Sequence, residues 1–473
     1  MGLMAVTFAV TLVNYAVSEK IAANGGFGWD GASYGSWAAD FHGEVLAREL
    51  DSYQITRILP SGVVYYALGL LGVDREPRNV IHAFGILNAA CLSIVAWIWV
   101  HIARHLLLTM AGLVWGYVAI FVNFFVLKWS AYYPVLTDIP AYLTGFLCVY
   151  LYLTRRTWAL AAVTVFGAFV WPTTLAIGGL LLLFPREETS DTDEASPYPV
   201  LPVVVAAIPT LLLLIQFVKR VYEGWVIPMD VQQPIRAMLI PSLLITLTCA
   251  FVGVWKLLDC RKVFDLSYWT RRLRDPKFYL IVGGLAAIRA SQYMLAGEIT
   301  SPYDEQFRLS FTIMTSVARP GAFLVADAVF YGPIILLVVI LWRPTCRLIH
   351  MHGVGLTFAA ALALLLGLCS EPRSLVNTLA LFLPFTIVAA EPLFRRAPLA
   401  WSFVILALIS SKLWLKINVR PLTEDLSGYS RLFHSYGPYI PTDVYFVQAA
   451  IVFLSAGFFY FACRPPSVRV PRI

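Results

Sequence analysis

The sequence predicts an all-α fold, a polytopic transmembrane helix bundle of about 12–14 spans with its polar residues gathered in loops on one side of the bilayer. Three observations lead there. Of 473 residues, 59% are hydrophobic and only 13% charged, against about 25% charged in an ordinary soluble protein. Several stretches, among them 80–102, 106–127, 200–218 and 321–342, approach or exceed the roughly 20 apolar residues that carry a helix across a bilayer. Short basic clusters separate such stretches: Arg155 and Arg156; Arg261, Lys262, Arg271, Arg272, Arg274 and Lys277; Arg395 and Arg396; Arg464 and Arg469. That is the pattern of topology-setting cytoplasmic charge. The net charge of +7 is thereby accounted for without a nucleic-acid partner.

With the basic clusters cytoplasmic, the crossings can be followed in order. Residues 3–17 lack a basic n-region and a cleavage site, so they form a first membrane helix that exits. Residues 18–78 are then a long first extracytoplasmic loop of short helices. Residues 80–102 return to Arg104, 106–127 exit, and 135–153 bring Arg155 and Arg156 inside. Segment 158–184 must enter and leave on one side, because the acidic loop 185–199 and the basic loop 259–277 both belong in the cytoplasm. Trp171-Pro172 near its middle supplies the break, since proline removes a helix hydrogen bond and disfavours helix at the preceding residue. Two half-helices result, tolerated where protein or water covers the broken backbone. Residues 200–218 then exit, 237–258 return, 278–296 exit, 321–342 return, 353–369 exit, 375–390 return, 399–416 exit and 444–463 return.

The alternation leaves the polar or aromatic loops 18–78, 128–134, 219–234, 297–320, 370–374 and 418–443 all on the outer side. Spans this numerous make 1–473 a single membrane domain and confine any chemistry to the bundle or its loops. The seven cysteines lie in apolar spans or basic clusters, so neither a disulfide framework nor a zinc site is expected. P-loop, GxGxxG, HExxH and serine-nucleophile signatures are missing, which argues against nucleotide-driven chemistry.

The outer loops hold the candidate residues. Gly28-Trp29-Asp30-Gly31 places a carboxylate between residues that let the backbone approach a ligand, with Tyr34 following. Asp30 can take a proton from a hydroxyl, or it merely caps a helix over 32–41. Asp138, in Tyr132-Tyr133-Pro134-Val135-Leu136-Thr137-Asp138, sits where an ionisable group is expensive and faces a cavity or a partner. Thr137 and Asp138 equally suit a helix N-cap, with Pro140 in the first turn. Arg57 precedes an apolar segment, 61–72, and suits either a phosphate or a snorkelling role. Arg373, in the short turn Ser370-Glu371-Pro372-Arg373, can hold a lipid phosphate or pair with Glu371 or an outer-loop carboxylate. Arg308 and Arg319 are similar cations, while His434 and Tyr436 read as packing or loop residues.

Taken together, Gly28-Trp29-Asp30-Gly31 with Tyr34, Arg57-Ile58-Leu59-Pro60, and Tyr133-Pro134 with Thr137-Asp138 resemble the GT-C superfamily of multi-spanning glycosyltransferases. The resemblance covers the N-terminal third. It implies a polyprenyl-phosphate sugar donor, a glycan, lipid or protein acceptor, membrane lipids as surroundings and a bacterial plasma membrane as location. It makes Asp30 the base or acceptor-orienting group, Asp138 the second acidic position and Arg373 the arginine on the lipid phosphate. Trp29, Tyr34, Tyr132 and Tyr133 would stack on sugar faces. Many members carry adjacent acidic residues or a metal-binding set in the first loop, whereas Trp29 and Gly31 flank Asp30 here, which disfavours a divalent metal. A transporter or flippase of a lipid-linked or small polar substrate is the alternative, because the Trp171-Pro172 break suits the broken helices of such proteins. A noncatalytic membrane subunit is a third.

Overall fold

The computed structural model describes residues 2–186, 198–224, 234–297, 305–418 and 430–463. Parts of the expected loops 185–199, 219–234, 297–320 and 418–443, and the cations Arg464 and Arg469, lie outside them. Every regular element among the described residues is helical. Five helices are long and apolar enough to cross a membrane: Pro77–His105, Val200–Tyr222, Arg236–Leu258, Pro276–Leu295 and Thr442–Cys463. Three bent pairs raise that number to eight, and further apolar helices run 10–17 residues. The chain is therefore an all-helical assembly of multi-pass membrane character.

Packing explains which helices sit where. Pro77–His105 buries 61% of its apolar window and forms the central post, whereas Pro276–Leu295 buries 6%. Along Val200–Tyr222 the exposed side chains Val204, Ile208, Leu211, Leu212 and Ile215 recur at helical spacing. An apolar stripe of that size facing outward suits lipid rather than water.

Three expected single spans are broken. The expected crossing 106–127 is a helix, Met110–Phe121, that bends 54° into the stretch Phe125–Tyr132, whose first turn is π-helical. The cause is Asn123, buried at the bend, whose amide donates to Ile120 O at 3.0 Å and accepts from Val126 N at 2.9 Å, a side chain inserted into the backbone ladder. The expected 321–342 crossing stops at Tyr331, where Gly332 takes φ +82° and Pro333 lacks an N–H, then resumes as Ile334–Ile340 and turns 83° into Trp342–Met351. The expected 375–390 crossing begins as two 3₁₀ turns and becomes α-helical only over Leu383–Phe394.

The 158–184 expectation resolves into Thr157–Gly167 and Thr174–Leu183, broken at Trp171-Pro172. Contacts of Gly167 with Thr174 and of Gly178 with Thr164 make the pair an antiparallel hairpin. Its tip meets the first loop, where Leu59 N donates to Phe169 O at 2.9 Å, and Gln292 donates to Ala168 O at 2.8 Å.

Two ends of the bundle emerge from the hydrogen bonds. At one, Lys128 pairs with Glu19 at 2.8 Å, Tyr132 donates to Asn418 at 2.8 Å, Gly297 N to Leu50 O at 2.8 Å and Arg319 to Ile440 O at 2.6 Å. At the other, Tyr152 donates to His352 O at 3.1 Å, Arg186 to Leu153 O at 2.8 Å and His350 to Leu257 O at 2.7 Å. Segments read as outer loops gather at the first end, and those read as cytoplasmic gather at the second.

Close approach is tested by glycine substitution. A Cβ on Gly145 would lie 1.9 Å from the Asn377 carbonyl oxygen, whereas one on Gly283 meets nothing within 4 Å. Thermal unfolding in detergent is expected to show Gly145→Ala destabilised by about 1–3 kcal/mol. Gly283→Ala is expected to be neutral or stabilised by up to about 1 kcal/mol; equal losses for both would refute the contact.

Candidate active site

The site begins with how glycines seat the first loop. Gly28 has φ +72°, and a Cβ there would stand 2.3 Å from the Tyr133 ring. At Gly31 a Cβ would lie 2.7 Å from Val135 O, and the Gly31 N–H donates to the Tyr133 hydroxyl at 3.0 Å. The turn thus lies flat on Tyr133 and delivers Asp30 as the first residue of the Asp30–Ala39 helix. Asp138 likewise opens the Asp138–Leu153 helix, with Thr137 at the N-cap position. Neither Thr137 nor Asp138 makes a side-chain cap.

Arg373 joins the two carboxylates. It sits in the 3₁₀ turn Pro372–Leu375, pinned by Tyr331, which donates to Pro372 O at 2.7 Å. Its Nε donates to both Asp138 oxygens at 3.1 Å, and its Nη1 to Asp30 Oδ2 at 2.7 Å. Tyr436 OH stands 3.4 Å from the same Nη1 and donates to Glu371 Oε1 at 2.8 Å. Trp129 Nε1 donates to Asp138 Oδ2 at 3.0 Å, and the Trp129 ring stacks on Tyr436 with centroids 5.0 Å apart. Arg373 is 7% exposed, and its Nη2 is buried without a hydrogen-bond partner.

Asp30 differs from Asp138 in access. The Asp138 side chain is 2% exposed and the Asp30 side chain 50%, although protein surrounds Asp30 on a larger scale. Asp30 is thus open to solvent on one side, while Arg373 holds the other. Burial alone would raise its pKa, but the Arg373 guanidinium, with Arg57 farther off, outweighs that and holds the carboxyl below its ordinary value. Arg57 is itself buried, donates to the Tyr34 hydroxyl at 3.0 Å, and lies between the rings of Tyr53 and Trp171 at 4.5 and 4.2 Å. It does not snorkel. Burial pushes the Tyr53 phenol up to about 12.

Other expected site residues lie apart. Tyr34, Tyr132 and Tyr133 are buried and present no face for a sugar: Tyr34 serves Arg57, Tyr132 holds Asn418, and Tyr133 underlies the Gly28–Gly31 turn. Trp29 stacks on Phe433 at 5.9 Å. Arg319 ties Ile440 O and Thr442, over the ring of Tyr445, and touches neither carboxylate. The side chain of Arg308 lies outside the described residues. Trp129 and Asn377 are additions, and Tyr436, expected only to pack, reaches Arg373 and Glu371; Asn377 links the Arg373 segment to the hairpin tip through Thr173 at 2.8 Å and Thr174 at 3.2 Å. Among the described residues no three His, Cys, Asp or Glu side chains group as metal ligands. Between the two aspartates the guanidinium stands where a cation would.

Chemically, the arrangement offers one partly open carboxylate that can accept from a hydroxyl and one buried guanidinium edge that can donate to an anion. Comparison of the chain with protein-family profiles, curated proteins and solved structures finds no match in any of them.

Breaking a buried ion pair from one side costs about 3–5 kcal/mol, so Asp138→Asn is expected to lower the thermal midpoint strongly. For Asp30 the sign follows from its lowered pKa: the stabilisation is full above the unfolded value of about 3.9 and is lost as pH falls below it. Melting curves recorded from pH 6 to 3 are expected to drop more steeply for the parent than for Asp30→Asn; parallel curves would contradict the pairing.

Proposed function

We propose that this chain is a membrane glycosyltransferase of the GT-C type, moving a sugar from a polyprenyl-phosphate donor to an acceptor hydroxyl at the outer face of a bacterial plasma membrane. The observation that carries the reading is the Arg373 guanidinium, bonded to Asp30 and Asp138 with its buried Nη2 unpartnered, beside a half-open Asp30.

A lipid-linked phosphate is already a leaving group, so the enzyme must orient the acceptor, remove its proton and neutralise charge on the departing phosphate. Asp30 accepts the hydroxyl proton as the acceptor oxygen bonds to the anomeric carbon. The carbon–oxygen bond to phosphate breaks, and the electron pair leaves with the phosphate. Arg373 takes a phosphate oxygen on Nη2, and Arg57 adds positive charge behind it. In the resting site the ion pair makes Asp30 a weak base. A phosphate on Nη2 draws on the same guanidinium charge, so the donor's arrival strengthens the base. Asp138 keeps Arg373 in place through the hydrogen bonds to Nε. Apolar grooves between outer helices would take the prenyl chain, and the acceptor is a glycan, lipid or protein hydroxyl.

The three bent helix pairs favour a second reading, transport of a lipid-linked or small polar substrate. Reconstituted protein given a polyprenyl-phosphate sugar labelled in the sugar separates the two. Transfer predicts a labelled covalent product, lost about 10²–10⁴-fold in Asp30→Asn with its fold retained. Near-normal turnover of that variant, or movement of intact donor between leaflets without product, would overturn the assignment.

A further inference from the structure

The end of the bundle opposite the carboxylates carries a feature that the proposed chemistry does not use. The basic segment 261–277 folds into the 3₁₀ turn Arg261–Phe264 and the helix Leu266–Arg274, which meets Pro276–Leu295 at Asp275. Tyr268 is buried, Trp269 packs on Phe184 with centroids 5.4 Å apart and donates to Val263 O at 2.8 Å. Arg272 also turns inward, donating to Leu183 O and pairing with Asp275 at 2.7 Å. These contacts fix which side faces out.

The outward side combines two chemistries. Leu266 and Leu273, 78% and 45% exposed, stand at i and i+7 with Thr270 between them, so they share one face of the helix. Arg271 and Arg274 join Leu266, Ser267, Thr270 and Asp275 around a shallow groove. Beyond it the exposed Tyr279 and Leu280 continue the apolar surface along the lipid-facing Pro276–Leu295 helix. Guanidinium groups beside bare leucines, on a short helix lying at the foot of an apolar helix, match a phospholipid with an anionic headgroup and an acyl chain.

We propose that this groove binds an anionic phospholipid, with Arg271 and Arg274 on the headgroup phosphate, Leu266 and Leu273 in the acyl boundary, and the chain running along Pro276–Leu295. The charge of the occupant follows from the exposed Arg274 on the groove, with Arg271 beside it. Its lipid nature follows from the leucines, which a soluble anion would leave in water. The site is independent of the transferase reading.

Native mass spectrometry of the full chain, extracted from vesicles of equal phosphatidylglycerol and phosphatidylcholine, tests it. The parent protein is expected to retain phosphatidylglycerol preferentially. Arg271→Gln/Arg274→Gln is expected to lose that preference by roughly tenfold or more, while Arg104→Gln/Arg395→Gln, the same charge removed at exposed positions elsewhere, keeps it. Leu266→Glu, on an exposed position that leaves the fold intact, is expected to weaken retention and covers the case in which the double variant does not fold. No preference in the parent, full retention by the double variant or by Leu266→Glu, or equal loss in the Arg104/Arg395 control would each overturn the site.

Discussion

The architecture of the first-loop end depends on one guanidinium. Asp30 and Asp138 lie in the first turns of two helices, and Arg373 reaches both from a 3₁₀ turn. Each carboxylate benefits from the positive end of its own helix, so the site is built from three sources of positive potential and two negative groups. Two anions brought this close without Arg373 would repel one another in a poorly hydrated setting. The position of the first loop, the start of the Asp138–Leu153 helix and the 370–375 turn are thus one interdependent choice.

The sequence marks these residues for a physical reason. In a chain with 13% charged residues, an acid or base near an apolar span is costly, and cost implies a partner. Asp30, Asp138 and Arg373 could each be singled out on that ground, although nothing local shows that they meet. Aromatic residues give no such signal. At 14% of the chain they are too common, so Trp129 and Tyr436, which hold Asp138 and Glu371, look like any other packing residue. The same abundance makes Tyr132 and Tyr133 resemble sugar platforms, whereas both are structural. Arg57 suits a surface role or a phosphate role by sequence, and its enclosure between two rings removes the first.

Hydropathy read the membrane character but not the continuity of the apolar segments. A window average does not register one asparagine, and Asn123 alone turns the Met110–Phe121 helix aside. Gly332-Pro333 and Asn377 act within equally apolar runs. Trp171-Pro172 was legible because two requirements coincided there, a proline and an alternation of charge that failed to close without a break. Its consequence is spatial: the hairpin tip reaches the first loop and meets Asn377, so both walls around Arg57 and Arg373 rest on it.

The 235 positions between Asp138 and Arg373 also shape how the protein is made. At about 5–20 residues per second, the ribosome delivers the arginine tens of seconds after the aspartate has entered the membrane. During that interval Asp138 lacks Arg373 and keeps, of the hydrogen bonds described above, only that from Trp129. Release of a nascent chain before residue 373 would leave Asp138 without its ion-pair partner, a mark by which quality control can tell an unfinished molecule from a mature one.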